Sequence, residues 1–478
     1  MSRSPQPHPP QPSVVRELRP FLVIWAGQLV SALGSGLTAF AVPVAVFQHS
    51  GSAEALSLLM LAWIVPSLLL SPVAGTLVDR WDRRRVLVAA DTAEALITLA
   101  MAGLVLAGHF ELRYLATASA AASVVSAFQE PAFAAAIPAL VPERHFARAV
   151  GLLQLLGPVS MIVAPLLGGA LLVTLGLGGI MVVDGVTYVA AVAGLLLVRI
   201  PRVAAAPEDD GELETAGGPR WAAAFRRFGR DAAAGYRFLR SHRGLFGLVV
   251  LFALGNFWSG FVNPLLTPMV LAFTRPVQLA TIQAAVGVGA VLGGVAVGVW
   301  GGPRSRIAGV LAALAADGVC VVAMGLRPSL PLIGGAVFAW ALTSPLLAAS
   351  SSALWMSKTP QALLGRVFAV RRLITMGAVP LAVLVAGPLA QRVFEPALAA
   401  GGPLAPSVGA WIGVGPGRGI ALLFVIVGVL TTLTALCGWL APSIRHVERD
   451  VPDAAPPAPP AEPPAGGRVA SGELAPAG

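Results

Sequence analysis

Five carboxyl side chains and four rows of polar side chains interrupt stretches that are otherwise apolar, and these are the groups with which the chain can do chemistry. In the first such stretch Gln28, Ser31, Ser35 and Thr38 step by three, four and three residues, the spacing of one helical face. The pattern recurs as Ser119, Ser123, Ser126 and Glu130, as Asn256, Ser259, Asn263 and Thr267, and at related spacing as Trp340, Ser344, Ser351 and Trp355. A hydroxyl or amide facing hydrocarbon is costly, so each row turns toward water or a neighbouring helix. One row alone would serve equally as a helix-packing surface, but four rows recurring every third helix point to a water-filled lining. Among the carboxyls, Asp91, Glu94 and Asp184 read as groups hydrogen-bonded to a neighbouring helix. Glu130 completes a row, and Asp317 has no Lys or Arg at its depth, so these two are the candidates for taking up and releasing a proton.

The elements that must position these groups are membrane helices. With 56% hydrophobic and 12% charged residues in 478, and a mean hydropathy of +0.80, the chain is too apolar for a water-soluble enzyme. Apolar runs long enough to cross a bilayer fall at about 20–46, 54–77, 86–108, 113–137, 149–174 and 178–198, then at about 245–271, 279–300, 306–325, 330–356, 367–390 and 418–440. The expected division is a polar tail at 1–19, a six-helix half at 20–198, a polar linker at 199–244, a second half at 245–440, and a disordered Pro/Ala-rich tail at 441–478. Of the 32 basic residues, all arginine except Lys358, 27 sort to the side that holds both termini and 5 to the other. By the positive-inside rule both termini are expected to be cytoplasmic. The net charge of +9 is therefore read as topology, with no nucleic-acid partner. An internal repeat is visible too: Pro142 and Arg148 recur as Pro360 and Arg366, and Gly75 recurs as Gly298.

Signatures of enzymes are missing from the chain. Lys358 lacks the glycines of a phosphate-binding loop, no two histidines stand four apart, and no serine has the G-x-S-x-G surround. No enzyme activity, cofactor or metal is expected, and Cys320 and Cys437 imply no disulfide framework.

The run from Gly75 through Asp79, Arg80, Asp82, Arg83, Arg84 and Arg85 to Leu87 resembles the loop between the second and third helices of major facilitator superfamily transporters. Asp82 replaces that loop's second glycine, which is similar to the drug-exporter branch containing macrolide and siderophore efflux proteins. Gln129 to Phe133 with Ile137-Pro138 and Val141-Pro142, Asp231 to Arg240, and Gly365 to Phe368 resemble the same branch. The resemblance implies that Gly75 packs the second helix on the eleventh, and that Asp79, Arg80, Arg83 and Arg84 form a charge cluster latching one access state. It also implies that the first, fourth, seventh and tenth helices line the cavity. Gly157, Pro158, Ala164, Pro165, Gly168 and Gly169 resemble the antiporter motif of the fifth helix, with Ala164 in place of a glycine. In the family this motif accompanies exchange against protons. The fourth span carries no basic residue after Arg113, where many drug antiporters have an arginine.

The expectation is an all-α membrane protein with 12 helices in two pseudo-symmetric halves, monomeric, in the bacterial plasma membrane. It would export an apolar or amphiphilic small molecule in exchange for protons, and the lack of Lys and Arg at depth argues against a multiply anionic substrate. Uptake or lipid and siderophore movement by the same fold, and a membrane binding protein without turnover, stay open as alternatives.

Overall fold

The computed structural model describes residues 14–78, 81–198 and 220–454, and all regular structure among them is helical. The first half comprises α1 (Val14–Ser50), α2 (Ala53–Val78), α3 (Arg83–Leu106), α4 (Leu112–Leu140) and a continuous helical stretch, Leu156–Leu197. The second comprises α7 (Arg243–Leu271), α8 (Pro276–Trp300), α9 (Arg306–Leu326), α10 (Leu330–Lys358), α11 (Leu364–Leu389) and α12 (Arg418–Leu440). Local chemistry sets several starts. Asp82 caps α3 by accepting from the Arg85 amide at 3.1 Å, and Ser305 caps α9 through the Ala308 amide at 3.3 Å.

Eleven segments are long and apolar enough to cross a membrane, one of them 55 residues long. That stretch turns at Gly176, whose φ of 65° and ψ of 179° suit glycine and break the helix. Its limbs, 156–175 (α5) and 177–197 (α6), lie on α1 in opposite directions. Going up α1, Ser160 and Ala164 meet Gly36 and then Gly168 meets Phe40, whereas Gly194 meets Val23 and Asp184 with Thr187 meets Gly34. The chain therefore reverses at Gly176, and the two limbs are separate crossings.

Helix pairing repeats between the halves. In the first, α1 packs on α5 and α6, α4 on α2 and α3, and α6 on α3; in the second, α7 packs on α11 and α12, α10 on α8 and α9, and α12 on α9. The halves meet along α5–α8 and α2–α11. A Cβ on Gly169 would stand 2.8 Å from Ala280 Cβ, and one on Gly387 would stand 2.7 Å from Glu54 Cα. Both contacts lie toward the end remote from the termini, where one apolar cluster joins Phe40, Val44 and Ala53 to Leu265, Met269 and Ala386. At the terminus end each half keeps its own cluster, and Gly75, Gly157, Gly298 and Gly365 face open space.

Two segments differ from the sequence expectation, 14–19 and 442–454, and a third, 391–418, is one on which the sequence carries no expectation. Residues 14–19 already belong to α1, because Leu18 packs into the first-half core. Residues 391–418 are ordered: Glu395 accepts from the Gly417 and Ile420 amides at 3.1 and 3.0 Å, and Leu398 is buried. Residues 442–454, expected to begin a disordered tail, fold back instead. Val447 is fully buried against the second half, and Lys358 donates to the Val451 carbonyl at 2.7 Å. The rest of that tail lies outside the described residues, as does 199–219 of the linker, whose remainder forms the helix Arg220–Ser241.

Candidate functional site: a cavity beside three buried carboxyls

A cavity of about 420 Å³ lies in the part of the bundle remote from the termini, mostly within the first half. Met60, Trp63, Met101 and Met181 contribute to its apolar wall, and Asn263, Thr267 and Gln283 reach it from the second half. Ser35, Thr38 and Ser119 supply hydroxyls, and Glu94 and Asp184 supply carboxyls; no Lys, Arg or His is among its lining residues.

Behind this wall the first-half helices bring three carboxyls together. Asp184 on α6 accepts hydrogen bonds from Thr38 at 2.7 Å and Ser35 at 3.3 Å. Ser35 has one hydroxyl proton, and its Oγ also lies 2.9 Å from Tyr188 Oη. Asp91 on α3 is fully buried and accepts from Gln28 at 2.9 Å and from Gln129 on α4. One turn along α3, Glu94 lies within electrostatic reach of both. Among the described residues no ion pair joins any of the three to a cation. A like-charged group of this kind in a low-dielectric setting favours the arrival of positive charge, as protons or as part of a ligand.

The rows read from the sequence are divided by the fold. Ser35, Thr38, Ser119, Asn263 and Thr267 stand in the cavity wall. Gln28 serves Asp91, and Ser31 is buried. Ser123 is buried and bonded to α2 through the Trp63 carbonyl and the Ser67 amide, which fixes it as a helix-packing group. Ser126, Asn256 and Ser259 are partly buried and do not line the cavity. From α10, Trp340 packs on the second-half core, Ser344 is exposed, and Ser351 and Trp355 are buried, so that row supplies none of the wall. Glu130 is exposed and outside the lining, whereas Asp317 is buried and bonded to Thr343. The offset of 223 residues that relates Gly75 to Gly298 also relates Glu94 to Asp317, so each half buries a carboxyl at the same place on its third helix.

Two further groups were named from motifs. Asp79 and Arg80 lie outside the described residues. Arg83 is half-buried, and Arg84 donates to the Leu195 and Leu196 carbonyls at 3.0 and 2.8 Å, tying α3 to α6. In α5, Ala164 and Gly168 pack on α1, Gly169 meets α8, Pro165 is buried, and Gly157 and Pro158 lie near the open end. Sequence reasoning did not pick out Trp63, Tyr188 or Gln283. Tyr188 had a signal, standing one turn from Asp184.

A two-part helical bundle whose first part holds a cavity that the second part helps to wall, with carboxyls in that wall, defines a membrane transporter for small molecules. The chain belongs to the Major Facilitator Superfamily, whose model matches residues 24–383. It is 29% identical over 385 residues to macrolide efflux protein A of Streptococcus pyogenes, covering 78% of this chain and 90% of that protein. It is 27% identical over 381 residues to the multidrug efflux pump Tap of Mycolicibacterium fortuitum, covering 78% and 89%. Its fold is similar to that of a bacterial homolog of the human lysosomal transporter Spinster, with a TM-score of 0.66 at 16% identity over 94% of this chain and all of the other. A bacterial homologue of the iron transporter ferroportin gives a TM-score of 0.64 at 16% identity over 89% and 99%. The protein is thus a multi-pass membrane transporter and not an enzyme.

Proposed function

We propose that the protein exports amphiphilic small molecules, neutral or weakly cationic, across a bacterial plasma membrane as a single chain, in exchange for protons. The observation that carries this reading is the cavity wall: largely apolar, with two carboxyls and no basic residue. The names of the relatives, macrolide efflux and multidrug efflux, support the direction and the substrate class. With both termini in the cytoplasm, halves joined at the far end and parted at the terminus end correspond to a cavity that loads from inside. In the opposite state the terminus ends approach, and the latch of Gly75, Asp79, Arg80, Arg83 and Arg84 engages.

Protons act through Glu94, Asp91 and Asp184, with Asp317 as the second-half counterpart and Glu130 as the alternative site. A protonated cluster releases a cationic ligand, and a ligand's positive charge displaces the proton. The test is uptake of a fluorescent lipophilic amine and of a macrolide into everted vesicles whose interior is acidified. Accumulation that collapses with the pH gradient, and that Glu94→Gln abolishes, is the expected result. Accumulation only in right-side-out vesicles would make the protein an importer. Unchanged coupling in Glu94→Gln with loss in Glu130→Gln would move the proton site to α4.

A further inference from the structure

A second cavity, of about 520 Å³, lies on the first half away from the transport site, in a groove between α3 and α4. Its floor on α3 is Val86, Ala89, Ala90 and Ala93, and its α4 wall is Val124, Val125 and Phe128. The face of α3 that carries Leu87, Asp91 and Glu94 turns inward and is buried. Val86, Ala89 and Ala93 occupy a different face of α3, where Ala89 is exposed, as is Val124 across the groove on α4. In a multi-pass protein that outer face meets lipid. The alanines leave the groove shallow-walled down to the helix backbone, a shape that accepts a hydrocarbon chain lying along the helix. From Arg85 to Ala93 the groove runs about 12 Å at 1.5 Å per residue, close to the depth of one leaflet of a hydrocarbon core about 30 Å thick.

Polar groups are confined to one end of the groove. Trp81, Asp82 and Arg85 stand there, and the Trp81 ring stacks on Phe128 with centroids 6.1 Å apart. A half-exposed tryptophan at a helix start is the placement of an interfacial aromatic. The same connection carries Arg80, Arg83, Arg84 and Arg85 against Asp79 and Asp82, so its net charge is positive. Phosphate with no compensating ammonium suits that mouth better than a zwitterionic head group does.

We propose that this groove holds one acidic phospholipid of the termini-side leaflet, with an acyl chain along Ala89 and Ala93 and its phosphate at Arg85. The occupant bears directly on α3, the helix that carries Asp91 and Glu94. The site is separate from the transport cavity and does not depend on the transport reading.

The test is native mass spectrometry of the full chain, purified from membranes containing phosphatidylethanolamine and phosphatidylglycerol, with melting temperature as a control for folding. The wild type should retain one phosphatidylglycerol. Arg85→Gln should reduce the preference for phosphatidylglycerol about fivefold, as expected for loss of one charge at the surface. Ala89→Trp, or the milder Ala89→Leu, should empty the groove of either lipid. Equal retention of the two lipids by the wild type, or variants that melt normally and retain phosphatidylglycerol as before, would overturn the proposal. So would displacement of the lipid by a transported amine, which would make the groove a substrate site.

Discussion

Glu54 and Arg392, 338 residues apart, are joined by a two-pronged ion pair of 2.6 and 3.3 Å that links α2 to the end of α11 and so connects the two halves at the closed end of the bundle. Next to it Ser52 donates to Gln391 at 2.8 Å, and the backbone at Ala390–Phe394 adopts a π-helical turn that aims both side chains at α2. Arg392 is 69% exposed, which holds the pair's contribution below about 1 kcal/mol. Glu54→Arg removes that attraction and adds a repulsion, so it should shift the balance toward far-end opening by about fivefold or more, and the double reversal with Arg392→Glu should restore it. In a chain lacking Cys320 and Cys437, labelling of an Asn263→Cys cavity thiol from the far side should rise in the single variant and fall back in the double one. Equal labelling in all three would show that the pair does not hold the gate.

Gly169 and Gly387 should matter more than the ion pair, because backbone-level approach has no slack. A Cβ at Gly169 would meet Ala280 Cβ at 2.8 Å, and one at Gly387 would meet Ser57 Oγ at 2.6 Å. Gly169→Val and Gly387→Val should each cost about 1–3 kcal/mol through overpacking, paid at the far-end contact between halves. Melting temperature should fall, and far-side labelling of the cavity thiol should rise. Gly298→Ala, at a position facing open space, is the control and should leave both readouts unchanged.

Much of this arrangement was legible in the sequence. Apolar run lengths gave the crossings, and the arginine-rich loop gave the family, because both depend on local composition. Spacing also placed Ser35, Thr38, Ser119, Asn263 and Thr267 on faces that reach the cavity. Spacing cannot say which neighbour a face meets. Ser123 lies on the same row as Ser119, yet α2 takes its hydroxyl through the Trp63 carbonyl. Asp91 and Glu94 share a face of α3 by their spacing, but the arrival of Asp184 from α6 beside them is a tertiary event with no trace in linear spacing. The fold-back of 442–454 was hidden because its anchor, Lys358, lies about ninety residues away.

Thr38 provides a separate check on the carboxyl cluster. Its hydroxyl donates to Asp184 at 2.7 Å from a position in the cavity wall. Thr38→Val keeps the volume and removes the donor, so the carboxylate loses a hydrogen bond worth about 1.5–3 kcal/mol when charged. The pH profile of transport should then differ from that of the wild type. Thr38→Ser should retain the wild-type profile. A profile unchanged in Thr38→Val would remove Asp184 from the coupling site.

The docked segment 442–454 should contribute to stability in a pH-dependent way. Glu448 accepts from Ser305 and from the Arg306 and Ile307 amides at 3.0, 2.6 and 3.1 Å, so it closes the start of α9. Lys358, 6% exposed, pairs with Asp453 at 2.9 Å, and this holds the Asp453 carboxyl below its usual range. A carboxyl whose folded value is depressed adds stability above its unfolded pKa, near 4, and loses it as pH falls through the lower folded value. Removal from residue 442 onward should lower the melting temperature by several degrees. Asp453→Asn should reduce the wild-type fall in melting temperature below about pH 4. An equal acid response in wild type and Asp453→Asn would show that the ion pair is not coupled to folding, even if Glu448 alone anchors the segment.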